Sequence, residues 1–462
     1  MAAELIVRGG TVVTPEAVFR ADIAVEDGKI AEVSPAGSAG AGRDTDAGAT
    51  VRGAAEIDAR GLYVFPGLVD AHVHFNDPGR AEWEGVATGS AALAAGGGTV
   101  FIDMPLNSSP PTLDAAAFDA KLAACEGRSV TDFALYGGLT PVNLESMEEL
   151  AARGVAGFKA FMCPSGIDDF QWADDVTLYR GMQIAAGLGL PVLLHAENAG
   201  VIATLSERAG AADADPVGAA GTDQPAAVHR FLESRPVIAE LEAVNRALLY
   251  AEETGCRVHI VHNSTRRAVE LIRRAADSGR ADATAETCPH YLFFTETDME
   301  EIGARAKCAP PLRSETMRRD LVEAVMAGEV DTVGSDHSPA SPEIKDTPDF
   351  ARAWGGIPGV QTTLRTLLTV GVPPERIAAV TAESPAARFA LPGKGRIDVG
   401  FDADLTLCDI NAEAVLARDE LRDRHRLSPY AGRTLRGRIE RVLLRGQETG
   451  PETRGRFLRP NR

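Results

Sequence analysis

The sequence Gly67-Leu68-Val69-Asp70-Ala71-His72-Val73-His74 follows the apolar run Leu62-Tyr63-Val64-Phe65-Pro66 and carries two histidines two residues apart. A short apolar run bounded by Pro and Gly is typical of a buried strand. Side chains alternate between the two faces of a strand, so His72 and His74 are expected to point in the same direction. The stretch therefore predicts a buried strand that ends in two side chains able to act at one site.

Seven further apolar runs follow this strand and alternate with helical stretches, such as 238–244 and 321–326. The predicted strands are 99–104, 131–138, 157–162, 191–195, 257–262, 281–288 and 331–336. With the strand that ends at His74 they make eight, spread over about 270 residues, which is the size of a TIM barrel. The sequence predicts an α/β fold with a (β/α)8 barrel.

Strand signals also occur at both chain ends, outside the predicted barrel. Residues 4–8 and 22–25 are apolar runs near the N-terminus, and 404–408 and 441–445 are similar runs near the C-terminus. We predict that residues 1–65 and 391–462 together form a small β-sandwich domain beside a barrel of residues 66–390. Two stretches rich in Ala, Gly and Asp, 35–55 and 208–225, are predicted to be loops.

Composition limits the classes of protein to which the chain belongs. It has 462 residues, a formal net charge of −19 and six cysteines without a Cys-x-x-Cys pair. An acidic surface repels phosphate backbones, so we expect no nucleic-acid partner. Because there is no apolar run of about 18 residues and no basic, apolar leader, we expect neither a membrane span nor secretion. These features predict a cytoplasmic protein with reduced thiols.

Six side chains with metal-binding chemistry fall at the ends of predicted barrel strands, where TIM barrels carry their active sites. They are His72, His74, Lys159, His195, His262 and Asp336. Imidazoles and a carboxylate suit zinc and similar transition metals. His259, three residues before His262, has the opposite strand parity, so we expect it to face the surrounding helices as a structural residue.

Lys159 is the unusual member of this set, because an ammonium group would be repelled by metal ions. A buried lysine in such a place must lose its charge or be modified. A neutral amine reacts with carbon dioxide to give a carbamate, which is anionic and has two oxygens that can bridge two metals. We therefore expect Lys159 to be an N6-carboxylysine.

Three features in order resemble the cyclic amidohydrolases: residues 67–74, the lone strand lysine Lys159, and Ser335-Asp336-His337-Ser338-Pro339. This family includes dihydroorotase, hydantoinase, dihydropyrimidinase and allantoinase. Segments 77–85, 104–107, 307–313, 353–357 and 424–434 are most similar to the allantoinase branch. The resemblance covers nearly the whole chain, and no ligand position departs from the family pattern.

The resemblance implies two divalent metal ions in each subunit, with zinc expected first and cobalt, manganese or iron as alternatives. The first ion would be bound by His72, His74, Lys159 and Asp336, and the second by carboxylated Lys159, His195 and His262. A hydroxide that bridges the ions would attack the cyclic amide. Asp336 would be the catalytic residue that accepts the proton of this hydroxide and passes it to the leaving nitrogen.

Four further residues are predicted to bind the substrate: Asn76, Asn107, Cys288 and Ala309. Dihydroorotase uses an arginine two residues after its second metal histidine to bind the substrate carboxylate, and this position here is Asn76. Charge-assisted bonds are roughly twice as strong as neutral ones, so the exchange favours a ring without a carboxylate. The resemblance thus implies hydrolysis of allantoin to allantoate, although Asn76 also suits a turn before Asp77-Pro78-Gly79. The Cys288 thiol is expected to be structural rather than nucleophilic.

Two alternatives remain open from the sequence. The first is another enzyme of the family, a hydantoinase or dihydropyrimidinase. The second is a non-catalytic scaffold on the same fold, which is disfavoured because such scaffolds lose ligands and all six positions are filled here. Relatives in the family are often tetramers, so the resemblance implies a homotetramer that acts on a small molecule.

Overall fold

A computed structural model describes residues 3–37, 55–212 and 224–461, with side chains left out at 209–212. The predicted loops at 35–55 and 208–225 lie largely outside the described residues. Among the helices that the structure describes, none is long and apolar enough to cross a membrane.

The strands of the described chain fall into a barrel and a separate sheet. They are β1 (Leu5–Val13), β2 (Val18–Glu26), β3 (Lys29–Pro35), β4 (Ala55–Asp58), β5 (Tyr63–Pro66), β6 (Leu68–Val73), β7 (Gly98–Asp103), β8 (Asp132–Leu135), β9 (Gly137–Gly138), β10 (Phe158–Phe161), β11 (Val192–His195), β12 (Val258–Ile260), β13 (Ala283–Thr287), β14 (Thr332–Val333), β15 (Leu405–Val415), β16 (Thr434–Leu444) and β17 (Gln447–Glu448).

The helices surround the barrel strands or cover their ends. They are α1 (Val86–Ala95), α2 (Ala115–Cys125), α3 (Met147–Arg153), α4 (Asp175–Gly187), α5 (Ala199–Ala212), α6 (Gln224–Ser234), α7 (Val237–Thr254), α8 (Arg266–Asp277), α9 (Pro289–Phe293), α10 (Glu296–Ile302), α11 (Glu315–Ala327), α12 (Pro342–Lys345), α13 (Thr363–Thr369), α14 (Pro374–Ala378) and α15 (Ser384–Arg388).

Strands β6 to β8 and strands β9 to β14 form two parallel sheets, which together make up the predicted barrel. The strand predicted at 131–138 is divided at Tyr136. The Tyr136 N–H donates to Asp103 of β7, whereas the Gly137 N–H donates to Gly157 before β10, so the chain changes its neighbour at this point. The barrel closes through a parallel bridge between Val73 and His337. The prediction of a (β/α)8 barrel is therefore confirmed.

Side chains alternate between the two faces of the barrel strands and so form two apolar clusters, one facing the helices and one inside the barrel. Phe158 and Ala160 of β10 pack in the outer cluster, which also contains Leu178 and Met182 of α4. Lys159 lies between Phe158 and Ala160, so it points to the opposite face, into the barrel. An inner cluster, which includes Leu193, fills the barrel interior. This alternation places ligand-type side chains at the open end of a packed core.

Both chain ends contribute to one eight-stranded sheet, in the order β17-β16-β15-β5-β1-β2-β3, with β4 paired to β1. An apolar cluster of its own supports this sheet. The buried ammonium of Lys394 joins the sheet to the barrel, because its Nζ lies 2.7 Å from Asp132 of β8, 2.9 Å from Asp402 and 2.8 Å from Asp404. The predicted β unit made from both ends is confirmed, whereas the limits at residues 65 and 391 stay predictions.

Candidate metal centre

A cavity of about 460 Å³ opens at the carboxyl ends of the barrel strands. Its wall contains all six predicted ligands, namely His72, His74, Lys159, His195, His262 and Asp336. His72 and Lys159 lie within β6 and β10, and His195 is the last residue of β11, whereas His74, His262 and Asp336 follow the ends of their strands by one to three residues. The structure thus brings together side chains that the sequence spreads over more than half of the chain.

One half of the centre gathers around Asp336. Its Oδ1 lies 3.2 Å from His72 Nε2 and 3.3 Å from His74 Nε2. The ligand atoms of these three residues lie within 4.8 Å of one another, which is a grouping able to hold a metal ion. Burial by itself would raise the pKa of Asp336, but the neighbouring imidazoles outweigh it and hold that pKa below its usual range. Asp336 is therefore a carboxylate.

The other half contains two facing imidazoles. His195 Nδ1 lies 3.0 Å from His262 Nε2. Burial lowers the pKa of both rings, and also that of His74. Neutral imidazole is the form that binds a metal, so burial prepares these rings for coordination.

Lys159 stands between the two halves with an unsatisfied amine. Its side chain is 1% exposed, and its Nζ has no hydrogen-bond partner among the described residues. The Nζ lies 5.0 Å from the centroid of the Phe161 ring, which stacks on His195. Burial lowers the pKa of Lys159 to about 8. A buried amine without a partner costs free energy unless a further group satisfies it.

The backbone turns sharply at the site. His262 and Asp336 have φ angles of 40° and 46°, and Asn76 and Asn107 have φ angles of 66° and 68°. Positive φ is unusual for residues other than glycine, and such backbone strain clusters at functional sites. Of these four residues, His262, Asp336 and Asn107 line the cavity, whereas Asn76 does not.

The prediction that His259 faces the helices is wrong. Its Nε2 lies 3.3 Å from Glu286 Oε2, and Glu286 Oε1 lies 2.6 Å from His72 Nδ1, so His259 points into the barrel. Strand β12 ends at Ile260, and the positive φ of His262 breaks the two-residue alternation on which the prediction rested. Parity therefore cannot be counted from His262 back to His259.

Glu286 was not found from the sequence. It is fully buried, and burial would raise its pKa, but His72 and His259 outweigh burial and lower the pKa to about 2. Its carboxylate orients the His72 ring so that Nε2 faces Asp336. A charged residue inside the predicted strand 281–288 was the available signal.

Glu197 and Arg235 were also not found from the sequence. Glu197 Oε2 lies 2.8 Å from His195 Nε2, and it forms an ion pair with Arg235, which lines the cavity. Burial would raise the pKa of Glu197, but Arg235 and His195 lower it to about 2. The spacing of His195 and Glu197, two residues apart like His72 and His74, was the available signal.

The predicted substrate residues differ in position. Asn107 and Ala309 line the cavity, and Asn107 Oδ1 is buried without a hydrogen-bond partner in the part of the chain that the structure describes. Asn76 and Cys288 are fully buried and do not belong to the cavity wall. The Asn76 side chain donates to the Pro339 carbonyl at 3.4 Å. Substrate contact by Asn76 and Cys288 stays a prediction.

Two other groups of possible ligands lie at the same end of the barrel: Cys163 with His195 and Glu197, and Cys288 with His290 and Asp336. Burial raises the pKa of Cys163 to about 12 and that of Cys288 well above its usual value. Only the thiolate binds a metal or acts as a nucleophile. These protonated thiols make both groups weaker candidates than His72, His74 and Asp336.

Replacing Glu286 by glutamine is expected to lower the affinity for metal by about 10- to 100-fold, because partners that orient a ligating histidine contribute that much. The variant keeps the shape of the side chain but removes the charge that holds His72. Metal content after dialysis against a graded chelator measures the effect. Glu252→Gln is the matched control, since Glu252 pairs with Arg280 at the surface. Equal retention of metal by both variants would contradict this role.

Comparison with known proteins agrees with this geometry. A model of the amidohydrolase family matches residues 63–449. The chain is 50% identical to the allantoinase of Rubrobacter xylanophilus, covering 100% of this chain and 98% of that protein. It is 48% identical to the allantoinase of Deinococcus radiodurans, covering 100% and 99%. It superposes on the L-hydantoinase (dihydropyrimidinase) of Arthrobacter aurescens with a TM-score of 0.90 and 34% identity, covering 99% and 100%.

This chain belongs to the amidohydrolase family, a class of hydrolases. Within that family, its similarity over the full length groups it with the allantoinases, as the sequence motifs predicted. The hydantoinases are related at lower identity and share the fold.

Proposed function

We propose that this protein hydrolyses the cyclic amide of allantoin to allantoate with the help of two divalent metal ions, for which zinc is the first candidate. The observation that carries the proposal is the convergence of four imidazoles, a carboxylate and a buried lysine on one cavity. Full-length relatives at 48% and 50% identity that are named allantoinases support the choice of substrate.

The donor set fits two metal ions. His72, His74 and Asp336 would hold one ion, His195 and His262 the other, and Lys159 both. The fit is supported by the approach of His72 Nε2 and His74 Nε2 to one Asp336 oxygen, and by the unpartnered Nζ of Lys159. Nitrogen and oxygen donors of this kind suit zinc, cobalt, manganese and iron.

Lys159 is proposed to carry a carbamate. Its burial and lowered pKa, about 8, leave an appreciable neutral fraction of the amine near neutral pH. The neutral Nζ forms a bond to the carbon of carbon dioxide and loses a proton, which leaves one negative charge on two oxygens. Such a group satisfies the buried nitrogen and replaces a repulsive cation by an anion beside the metals.

The chain's own residues then bind the ring and move a proton. When bound, the two ions would acidify a water molecule and polarise the amide carbonyl. Asp336 is held as a carboxylate by His72 and His74, so it can accept a proton and return it to the ring nitrogen that leaves. Asn107 offers its unpartnered Oδ1 to an N–H of the substrate, and Ala309 contributes to the wall of the cavity.

Asn76 and Cys288, which are buried beside the cavity, are still proposed to contribute to substrate binding. The neutral Asn76 side chain suits a substrate that has a ureido group and no carboxylate. The buried, protonated thiol of Cys288 suits a structural role, so a contact with the ring would come from the main chain near this residue.

The proposal is tested by assaying allantoin, hydantoin, dihydrouracil and dihydroorotate side by side, with protein of known metal content. Allantoin is expected to be hydrolysed fastest, and removal of metal with a chelator should abolish activity until zinc, cobalt or manganese is restored. A much faster reaction with hydantoin would identify a hydantoinase instead. Full activity of metal-free protein would reject the mechanism.

We also propose a cytoplasmic homotetramer. The six cysteines are all buried free thiols, which suits a reducing compartment. Light scattering is expected to give four times the chain mass of 48.7 kDa. A mass equal to one chain at micromolar concentration would contradict the assembly without affecting the proposed reaction.

A further inference from the structure

Lysine is used sparingly in this chain. Only six of its 47 basic residues are lysines, and the rest are arginines. Five of the six lysines are buried, namely Lys121, Lys159, Lys307, Lys345 and Lys394. An ammonium group is compact and directs three donors from one atom, whereas guanidinium is a planar fork. Lys121 and Lys394 form buried ion pairs and Lys159 belongs to the metal centre. Lys307 and Lys345 are the two that neither bear on the metal centre nor form an ion pair within 4 Å among the described residues.

The ammonium of Lys307 is surrounded by main-chain carbonyls. Its Nζ donates to Phe350 at 2.8 Å, to Ala351 at 3.0 Å and to Ala353 at 2.9 Å. These three bonds use all three N–H donors of the charged form. The same Nζ lies 5.2 Å from the centroid of the Phe231 ring and 5.1 Å from that of Phe350. A residue without a donor at this position would leave the Ala351 and Ala353 carbonyls without a donor among the described residues, whereas Phe350 also accepts from the Ala353 N–H at 3.3 Å.

Lys345 continues this arrangement. It is fully buried at the end of α12, and its Nζ donates to the carbonyl of Lys307 at 3.1 Å and to that of Trp354 at 3.0 Å. Together the two lysines bind four carbonyls between Phe350 and Trp354, and Lys345 also ties this stretch to Lys307 itself.

The chain held in this way borders the candidate active site. We call residues 338–357 the return segment, because they leave the barrel just after Asp336 and return to it at Ile357, which bridges to His337. Five consecutive residues of this segment, 351–355, line the cavity, as does Lys307. The Trp354 Nε1 donates to the Ser338 carbonyl at 3.0 Å and so joins the two ends of the segment.

We propose that Lys307 and Lys345 are positioning residues, which hold the return segment against the cavity and thereby determine which ring substituents the site accepts. The inference rests on the proposed function, since it concerns binding of the same cyclic amide. Neither ammonium touches the metal ligands, so the effect is on the shape of the wall and not on the metal centre. Without the lysines, this stretch would lose the hydrogen bonds that hold Phe350, Ala351, Ala353 and Trp354 at the border of the cavity.

The test compares Lys307→Met with Lys29→Met. Methionine keeps an unbranched apolar side chain but has no donor, and Lys29 is an exposed lysine in the chain-end sheet. Lys307→Met is expected to raise KM for allantoin about tenfold or more with a smaller change in kcat, because a misplacement of about 1 Å in positioning groups can cost on the order of 100-fold. Its activity towards 5-benzylhydantoin relative to allantoin should rise, and its metal content should equal that of the wild type.

The Lys307→Arg variant separates the effect of the positive charge from the effect of three donors on one nitrogen atom. Lys307→Arg keeps the cation but has no three donors on one atom, so it should not restore the wild-type KM. Wild-type KM and unchanged substrate preference in both Lys307 variants would overturn the proposal. A wild type that is inactive on allantoin but hydrolyses another ring would reject the proposed substrate only, and the same comparison would then be made with that ring.

Hydrogen exchange in the wild-type protein gives a test that does not depend on a variant folding. The main-chain N–H of Trp354 donates to the Ile344 carbonyl at 2.8 Å. This amide is expected to exchange its hydrogen as slowly as the amides of the barrel strands. Rapid exchange across residues 350–355, at the rate of an exposed loop, would overturn the proposal.

Discussion

Replacing Lys159 by alanine is expected to lower kcat/KM for allantoin by about 1,000-fold or more, which corresponds to roughly 4 kcal/mol of transition-state stabilisation. Without the proposed carbamate, the two halves of the centre, His72 with His74 and Asp336, and His195 with His262, would have no shared anionic ligand. The metal content is expected to fall as well. Steady-state kinetics and metal analysis on the same preparation measure both effects.

Rescue of the Lys159→Ala variant by an added carboxylic acid tests the carbamate more directly. The alanine variant leaves a space beside Phe161 in which acetate or propionate is expected to bind and to restore part of the activity. A carbonyl signal from ¹³C-labelled carbon dioxide should be present in the wild type and absent in the variant. Lys29→Ala is the control, since Lys29 is exposed. Full activity of Lys159→Ala without additive would remove the carbamate from the mechanism.

Replacing Asp336 by asparagine is expected to lower kcat by about 100- to 10,000-fold, the range of a lost general acid–base group. Asparagine has nearly the same shape, but it cannot exchange a proton and it presents no negative charge to His72 and His74. The fold should persist, because Asp336 lies beyond the end of β14 rather than in the apolar core. Kinetics, metal content and thermal unfolding of the variant give the three readouts.

The metal content decides what Asp336 contributes. If Asp336→Asn retains both ions and is inactive, proton transfer is lost; if it loses one ion in proportion to activity, its contribution is coordination alone. Asp398→Asn, at an exposed carboxylate, is the control. An Asp336→Asn variant with both ions and near wild-type kcat would reject a catalytic role for this residue.

The ligand set illustrates what a strand pattern predicts well. His72 and His74 lie two residues apart at the end of one apolar run, Lys159 lies within a second, and His195, His262 and Asp336 each end another. Because the carboxyl ends of parallel barrel strands meet at one face, chemistry at each end predicts a shared site. The structure brings all six side chains to one cavity, so this part of the site required no knowledge of long-range contacts.

Predictions that relied on local parity or on a single turn were weaker. His259 was expected to face the helices, yet it contacts Glu286 inside the barrel, since the left-handed backbone at His262 interrupts the alternation. Asn76 also has a positive φ, and its side chain turns to the Pro339 carbonyl instead of the cavity. Backbone conformation after a strand end depends on the neighbouring strands, which local spacing does not describe.

The sequence by itself determined the barrel and the chemistry of its ligands, because apolar periodicity and residue type act locally along each strand. Only the tertiary structure decided how these ligands are oriented. Glu286 and His72 are 214 residues apart and Glu197 and Arg235 are 38 apart, and each pair meets only when the barrel closes. The same holds for Lys307, whose three carbonyl partners lie 43 to 46 residues away. Burial then raises the cost of any unsatisfied group, which makes these distant contacts decisive.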